Sequence, residues 1–264
     1  METPFTKQET YIRDFDPKEY FDTYYAPRKG AFVGEWTLFV LKNLHELFSS
    51  GEVKGDTIID IGAGPTIYHL LSACEVFKNI ITSDFLEQNR EQLKKWLRKD
   101  PDMFDWSKIV QTVCDLEGNS EKCAEKEEKL RRAVRNVLKC DALKKNPFEP
   151  LVLPPADCVI SCLCLEAPCK DADAYCNSVK NFKTLLKPGG HIIIQSVIGC
   201  TYYYIGKKRF CSLTVTKEDL KRAFTEGGYE ILKLELKERE DMALTSICDH
   251  QGFYFVHARK LGNL

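Results

Sequence analysis

The chain has 264 residues, with 38 basic against 39 acidic and a formal net charge of −1. It therefore builds none of the positive field that a nucleic-acid or anionic-membrane partner requires. Its length suits a single α/β unit spanning 1–264, and no apolar stretch approaches the roughly twenty residues of a membrane span. Twelve cysteines, dispersed through a charged chain whose start carries no apolar signal segment, are expected to be reduced cytoplasmic thiols.

An aromatic-rich opening (Phe5, Tyr11, Phe15, Tyr20, Phe21, Tyr24, Tyr25) begins an N-terminal cap over 1–55. The spacing of Trp36, Phe39, Val40, Leu44, Leu47 and Phe48 predicts a helix over 35–48. An apolar strand over 57–61 runs into Gly62-Ala63-Gly64, and a helix following that loop is expected to continue over 70–77. A second strand, 80–82, closes on Asp84, and a charged helix over 86–98 stops at Asp100-Pro101. Residues 102–135 read as a charged insertion: a turn at 114–119, then a helix over 121–138 whose glutamates precede lysines and arginines. Its run Arg131-Arg132-Ala133-Val134-Arg135 reads as a solvated face.

Strands are predicted over 137–140, 156–165, 191–197, 229–235 and 252–259. Helices are predicted over 172–186 and, with Thr216 as N-cap, over 217–227. Alternation of this kind argues for an open, mostly parallel seven-stranded sheet with helices on both faces, a Rossmann-like architecture. Right-handed crossovers place every strand exit on one edge, where ligands bind. Gly62, Gly64, Asp84, Asp141 and Glu166 each follow a predicted strand and should converge there.

The glycine loop lacks the third glycine of a dinucleotide fingerprint, because Ile67 stands in its place. With Asp84 about twenty residues on, the loop suits a ligand with ribose and adenine but no pyrophosphate. S-adenosylmethionine fits that description. Cys158, Cys162, Cys164, Cys169 and Cys176 lack zinc-site spacing and read as buried thiols, so no metal is expected.

Several segments, taken together, resemble one family. They are Asp60-Ile61-Gly62-Ala63-Gly64-Pro65-Thr66-Ile67-Tyr68, Ser83-Asp84-Phe85, Leu116-Glu117-Gly118-Asn119, Lys139-Cys140-Asp141, Leu153-Pro154-Pro155-Ala156-Asp157-Cys158 and Leu185-Leu186-Lys187-Pro188-Gly189-Gly190-His191. They look like the small-molecule methyltransferases that act on nicotinamide, indolethylamines and phenylethanolamine, and the resemblance runs nearly end to end. It implies a class I methyltransferase fold with the aromatic N-terminus as a lid, a monomer, and S-adenosylmethionine as methyl donor, released as S-adenosylhomocysteine. It also implies that Tyr20, Tyr25, Gly62, Gly64, Thr66 and Tyr68 surround the methionine part of the cofactor. Asp84 and Asn89 would hold the ribose, Asp141 and Ala142 the adenine, and Ala63 and Cys162 complete the set.

The acceptor follows from its own chemistry. A pyridine nitrogen carries a free lone pair near neutral pH, whereas an alkylamine, with a pKa near ~10.4, is protonated. An amine enzyme therefore needs anions that hold the ammonium and take its proton. By the resemblance, Glu166 and Asp249 fall where the phenylethanolamine enzymes place amine-contacting acids. The aspartate with which the nicotinamide enzymes help to hold the carboxamide is replaced by Ser196, and the other acidic position on that segment falls near Cys200. The wording Asn89-Arg90-Glu91 and Gly190-His191 leans toward the indolethylamine branch. The expected reaction is N-methylation of a small aromatic amine, with Glu166, Asp249 and Tyr20 as catalytic residues. Tyr24, Ser196, Tyr203 and Ser212 would bind the acceptor. Nicotinamide, or a thiol or thioether, is the alternative acceptor, and an inactive cofactor-binding protein is the remaining one. His250, beside Asp249, is a candidate for a proton relay.

Overall fold

The structure, a computed structural model, describes residues 5–26, 34–240, 242 and 245–262. Seven strands form one sheet: β1 (Thr57–Ile61), β2 (Asn79–Asp84), β3 (Val134–Lys139), β4 (Ala156–Cys162), β5 (Leu186–Ile198), β8 (Tyr229–Glu238) and β9 (Gly252–Lys260). Their spatial order is β3-β2-β1-β4-β5-β9-β8. The strands from β3 to β5 pair in parallel, and β9 runs antiparallel to both of its neighbours. The chain leaves β1 toward β2 and returns through β4 on the other side. Strand order therefore reverses between β1 and β4, which is where an open α/β sheet binds its ligand.

Successive strand residues point to opposite faces, and both faces are covered. One layer packs Ile58, Ile160, Ile193 and Phe253 against Trp36, Val40 and Leu44 of α3 (Glu35–Ser49). The other packs Ile59, Val159, Ile192 and Val256 against Val179 and Phe182 of α7 (Ala172–Phe182) and Phe224 of α8 (Lys217–Glu226). Strands buried on both sides read as continuous apolar runs, which is why the central ones were legible. α4 (Glu87–Arg98) follows β2 and adds Leu93 and Trp96 to the first layer.

Several elements differ from expectation. The helix expected after the glycine loop is replaced by two short 3-10 turns, Tyr68–Leu70 and Ala73–Glu75. Here Thr66 Oγ1 bonds back to Ala63 O at 2.7 Å, and the buried His69 ring lies 3.0 Å from Asp60. This local side-chain bond and the buried His69–Asp60 contact hold the segment in place of helix periodicity. The charged insertion forms two helices, α5 (Ser107–Leu116) and α6 (Cys123–Ala133), so part of the expected turn is helical. The second helix stops at Ala133, five residues before the predicted helix end at 138, and Val134 opens the edge strand β3. β4 stops at Cys162 because Leu163 adopts φ 51°, a left-handed conformation costly for a residue with a Cβ.

A hairpin that the sequence reading missed, β6 (Tyr202–Ile205) and β7 (Lys208–Cys211), stands beyond the carboxyl end of β5. The N-terminal cap contributes α1 (Gln8–Asp14) and α2 (Pro17–Tyr24), which dock on that hairpin. Thr6 Oγ1 accepts from Cys211 N at 2.7 Å, and Tyr24 OH donates to Tyr204 O at 2.7 Å. Residues 1–4 and 27–33 of the expected cap lie outside the described residues. Among the described residues, no helix is long and apolar enough to cross a membrane, and all twelve cysteines are free thiols.

At the opposite edge of the sheet, Asp157 ties three segments together. Its Oδ2 accepts from Asp56 N (2.9 Å) and Thr57 N (3.0 Å), and its Oδ1 accepts from Lys187 Nζ (2.6 Å). Burial pushes this carboxyl up, but Lys187 and the two amides outweigh it and hold the group below its ordinary value. Its contribution to stability is therefore complete above the unfolded pKa of about 3.9 and is lost as pH falls through the lower folded value. Asp157→Ala should lower the thermal midpoint by about 2–8 °C at neutral pH. Calorimetry at falling pH should show the gap from the unsubstituted protein closing.

Candidate active site

The loop after β1 is stitched to the end of β2. Gly62 N and Ala63 N both donate to Ser83 O at 2.9 Å. Gly62 has φ 73°, and a Cβ there would lie 2.1 Å from Cys164 Sγ, so the loops after β1 and β4 meet with no room for a side chain. Gly64, at φ 60°, is the converse case: a Cβ would meet nothing within 4 Å. Bare backbone there faces open space, as close approach by a ligand requires.

Asp84 ends β2 and is buried. Its Oδ2 accepts from Gly64 N (2.8 Å), and its Oδ1 accepts from Leu86 N (2.8 Å) and Asn89 Nδ2 (3.0 Å). Burial raises its pKa, while these donors favour the charged form and restrain the rise. The carboxylate is thereby fixed at the mouth of the glycine loop.

Above this edge lies a cavity of about 310 Å³. It gathers Tyr20, Tyr24, Tyr25, Gly62, Ala63, Gly64, Thr66, Tyr68, Asp84, Asp141, Ala142, Cys162, Glu166, Ser196, Tyr203 and Ser212, all singled out from the sequence. A chain of hydroxyls crosses it. Tyr20 OH is 3.4 Å from Tyr25 OH, Tyr25 OH is 3.5 Å from Tyr68 OH, and Tyr68 OH is 3.2 Å from Cys162 Sγ. Strand alternation in β6 sends Tyr203 into the cavity, stacked on Phe210 with centroids 5.4 Å apart. Tyr202 and Tyr204 pack edge to face on each other, 5.8 Å apart.

Glu166 is 5% exposed and accepts from Tyr254 OH at 2.5 Å. Burial raises its pKa, and the Tyr254 bond, with lesser help from its own amide and Ser196, restrains the rise. Ser196 is buried beside Glu166, and its hydroxyl favours the ionised carboxyl.

Three residues singled out from the sequence do not line the cavity. Asn89 acts one step back, through Asp84. Asp249 is turned toward the start of β6, where it accepts from Thr201 N (2.8 Å), Thr201 Oγ1 (2.5 Å) and Tyr202 N (3.1 Å). Burial pushes this carboxyl up, but those donors hold it below its ordinary value, so it works as a local brace. His250 is likewise outside the cavity. It packs on Phe253 with ring centroids 4.9 Å apart, and burial, with help from Arg239, lowers its pKa to about 3. An imidazole that stays neutral at ordinary pH and lies away from the cavity is poorly suited to a proton relay.

Sequence reasoning missed several lining residues, among them Phe85, Leu163, Cys164, Val197, Cys200 and Cys248. Phe85 had a signal, since it follows Asp84 directly. The others depend on the positive φ of Leu163 and on packing of the hairpin, neither of which leaves a pattern in the sequence.

Comparison with known proteins gives this geometry a context. The family described as NNMT/PNMT/TEMT matches residues 2–261. The chain belongs to that family. It is 45% identical to nicotinamide N-methyltransferase of Homo sapiens, covering 99% of this chain and 98% of that protein. It is 43% identical to indolethylamine N-methyltransferase of Oryctolagus cuniculus, covering 98% of both chains. Among solved structures, magnesium protoporphyrin IX methyltransferase from Synechocystis PCC 6803 with bound SAH shares the fold, with TM-score 0.59 and 11% identity over 95% of this chain and 96% of that one. This member of the NNMT/PNMT/TEMT family is thus an S-adenosylmethionine-dependent N-methyltransferase. The open space over Gly64 and the buried Asp84 carboxylate beside it fit such a cofactor.

The two glycines should respond differently to alanine. Gly62→Ala combines a left-handed backbone, costing about 1–2 kcal/mol, with the clash on Cys164, whereas Gly64→Ala carries only the backbone cost. Thermal melting should show the larger drop for Gly62→Ala.

Proposed function

We propose that this enzyme methylates the nitrogen of a small aromatic alkylamine, of the indolethylamine or phenylethanolamine kind. One observation carries the reading: Glu166 is a buried carboxylate on the cavity wall that forms no ion pair among the described residues. A buried charge without a counter-charge is costly. An alkylammonium would supply the missing cation, and Glu166 would then take its proton, directly or through one water. The two acidic anchors expected from the sequence reduce to one, because Asp249 faces away.

When bound, S-adenosylmethionine supplies a sulfonium methyl whose leaving thioether needs no acid. The work left to the chain is alignment and exclusion of water. In this reading Tyr20, Tyr25, Gly62, Ala63, Gly64, Thr66, Tyr68 and Cys162 border the methionine part of the cofactor. Asp84, oriented by Asn89, takes the ribose hydroxyls, and Asp141 with Ala142 takes the adenine. Tyr20, Tyr24 and Tyr203 offer aromatic faces to a flat ring or a developing cation. The docked segment 5–26 would close over the reactants as a lid. Twelve free thiols suit a reducing compartment such as the cytoplasm.

Nicotinamide is the second reading. The hydroxyls of Ser196, Ser212 and Tyr203 all line the cavity, a set able to bond a carboxamide. A pyridine, like a thiol or thioether, needs no carboxylate to free its lone pair.

A labelled-cofactor assay separates these readings. Glu166→Gln should lower kcat/KM about a hundredfold for a tryptamine-like amine and leave a pyridine acceptor within about threefold. Turnover of nicotinamide with none of the amine would reject the amine reading. Asp84→Ala should weaken cofactor binding about tenfold or more by calorimetry, the loss of a hydrogen bond to a charged group. Unchanged affinity would remove Asp84 from the site.

A further inference from the structure

The wall behind Glu166 contains two phenols that the reaction as described does not use. Tyr254 on β9 and Tyr175 on α7 are both fully buried in the apolar layer beside Val179, Phe182 and Val256. Their hydroxyls lie 2.8 Å apart, and Tyr254 OH lies 2.5 Å from Glu166 Oε1. Phenylalanine would fill the same volume without the burden of burying a hydroxyl, so these two oxygens call for a reason. Tyr254 also stands directly across the ladder from Ser196 of β5, which puts it behind the cavity wall and not in the cavity.

We infer that Tyr254 is a positioning residue for methyl transfer: backed by Tyr175, it turns Glu166 toward the acceptor and holds the carboxylate in its charged form. The direction of the chain is forced. An ionised carboxylate only accepts, so Tyr254 donates to Glu166, and its oxygen is left to accept from Tyr175. A donor to a charged acceptor is strengthened when it is itself hydrogen-bonded, so the two phenols act in series. With Oε1 fixed from behind, the carboxylate is aimed at the cavity and retains acceptor capacity for the incoming nitrogen.

Among the described residues, the ionisable groups that face Glu166 are Tyr254 from β9, Tyr175 from α7, Cys162 at the end of β4, and Cys164 and Cys169 just beyond it. None is a cation. Burial is the largest influence on Glu166 and favours its neutral form; the Tyr254 hydroxyl is the foremost group opposing it, followed by Glu166's own amide and Ser196. A neutral Glu166 can neither pair with an ammonium nor accept its proton. Removing the hydroxyl should therefore move the ionisation of Glu166 to higher pH and carry the acid limb of amine methylation with it.

The kinetic consequence rests on the amine reading, but the relay itself does not, so two readouts keep them apart. In enzyme loaded with S-adenosylhomocysteine, infrared difference spectra against Glu166→Gln follow the protonated carboxyl of Glu166 as a function of pH. Tyr254→Phe should raise that midpoint by about one to two pH units. Tyr175→Phe, which leaves the Glu166 contact intact, should raise it less and in the same direction. With an amine acceptor, the acid limb of kcat/KM should shift by the same amounts, while a neutral pyridine acceptor keeps its profile. Coincident carboxyl titrations in the unsubstituted enzyme and Tyr254→Phe would overturn the inference. So would equal losses on both acceptors with no shift of the limb, which is what a packing role predicts. If no amine is turned over but the midpoints move, the amine reading fails and the relay stands.

Discussion

The loops after β1 and β4 press together at Gly62 and Cys164, leaving 2.1 Å between the sulfur and the place where a Cβ would be. The rest of the cavity follows from that contact. It closes the floor at the point where strand order reverses and brings the glycine loop against the turn that carries Glu166. Because Gly62 and Ala63 also hang from Ser83 O, the same contact draws the end of β2, and with it Asp84, to the cavity edge. Three loops from distant parts of the chain are thus held by backbone geometry before any ligand contributes. That is the preorganisation a displacement reaction needs when alignment is the enzyme's main task.

Three carboxylates near this edge show how environment divides roles among like groups. Asp84 and Glu166 are both buried and both pushed upward by it, yet Asp84 is met by two amides and Asn89, and Glu166 chiefly by the Tyr254 phenol, with its own amide and Ser196 adding to it. Asp84 is held rigidly by three donors and keeps a remaining acceptor site toward the cavity. Glu166 retains acceptor capacity and suits a group that arrives with a charge. Asp249 is braced by Thr201 and Tyr202, which spends its oxygens on the start of the hairpin. Its value to the site is indirect, through β6 and Tyr203.

The fold was legible where local pattern and tertiary demand coincide. Doubly buried strands such as β1 and β4 announce themselves by uniform apolarity, and α3 by its stripe of Trp36, Val40 and Leu44. Legibility failed where tertiary bonds replace periodicity. The segment after Thr66 holds 3-10 turns against a buried His69–Asp60 contact. The charged helix α6 gives way at Val134 because the next residues are needed as an edge strand beside β2. The hairpin β6–β7 depends on Asp249, some forty residues farther along the chain, a bond no local window contains. In the site, Asp84 and Glu166 were found because each follows a recognisable strand. The turn of Asp249 toward Thr201 was not legible, because sequence position does not say which way a side chain in a loop will point.

The sequence by itself determined the α/β order, the glycine turn and the set of residues at the strand exits, because each is a short-range consequence of side-chain period and backbone freedom. Only the tertiary structure decided which carboxylate faces the cavity, which tyrosine of the three in β6 lines it, and that two phenols stand behind Glu166. Those outcomes depend on contacts between residues tens to hundreds of positions apart. Direction and burial at such contacts are set by packing of the whole sheet, which no single segment encodes.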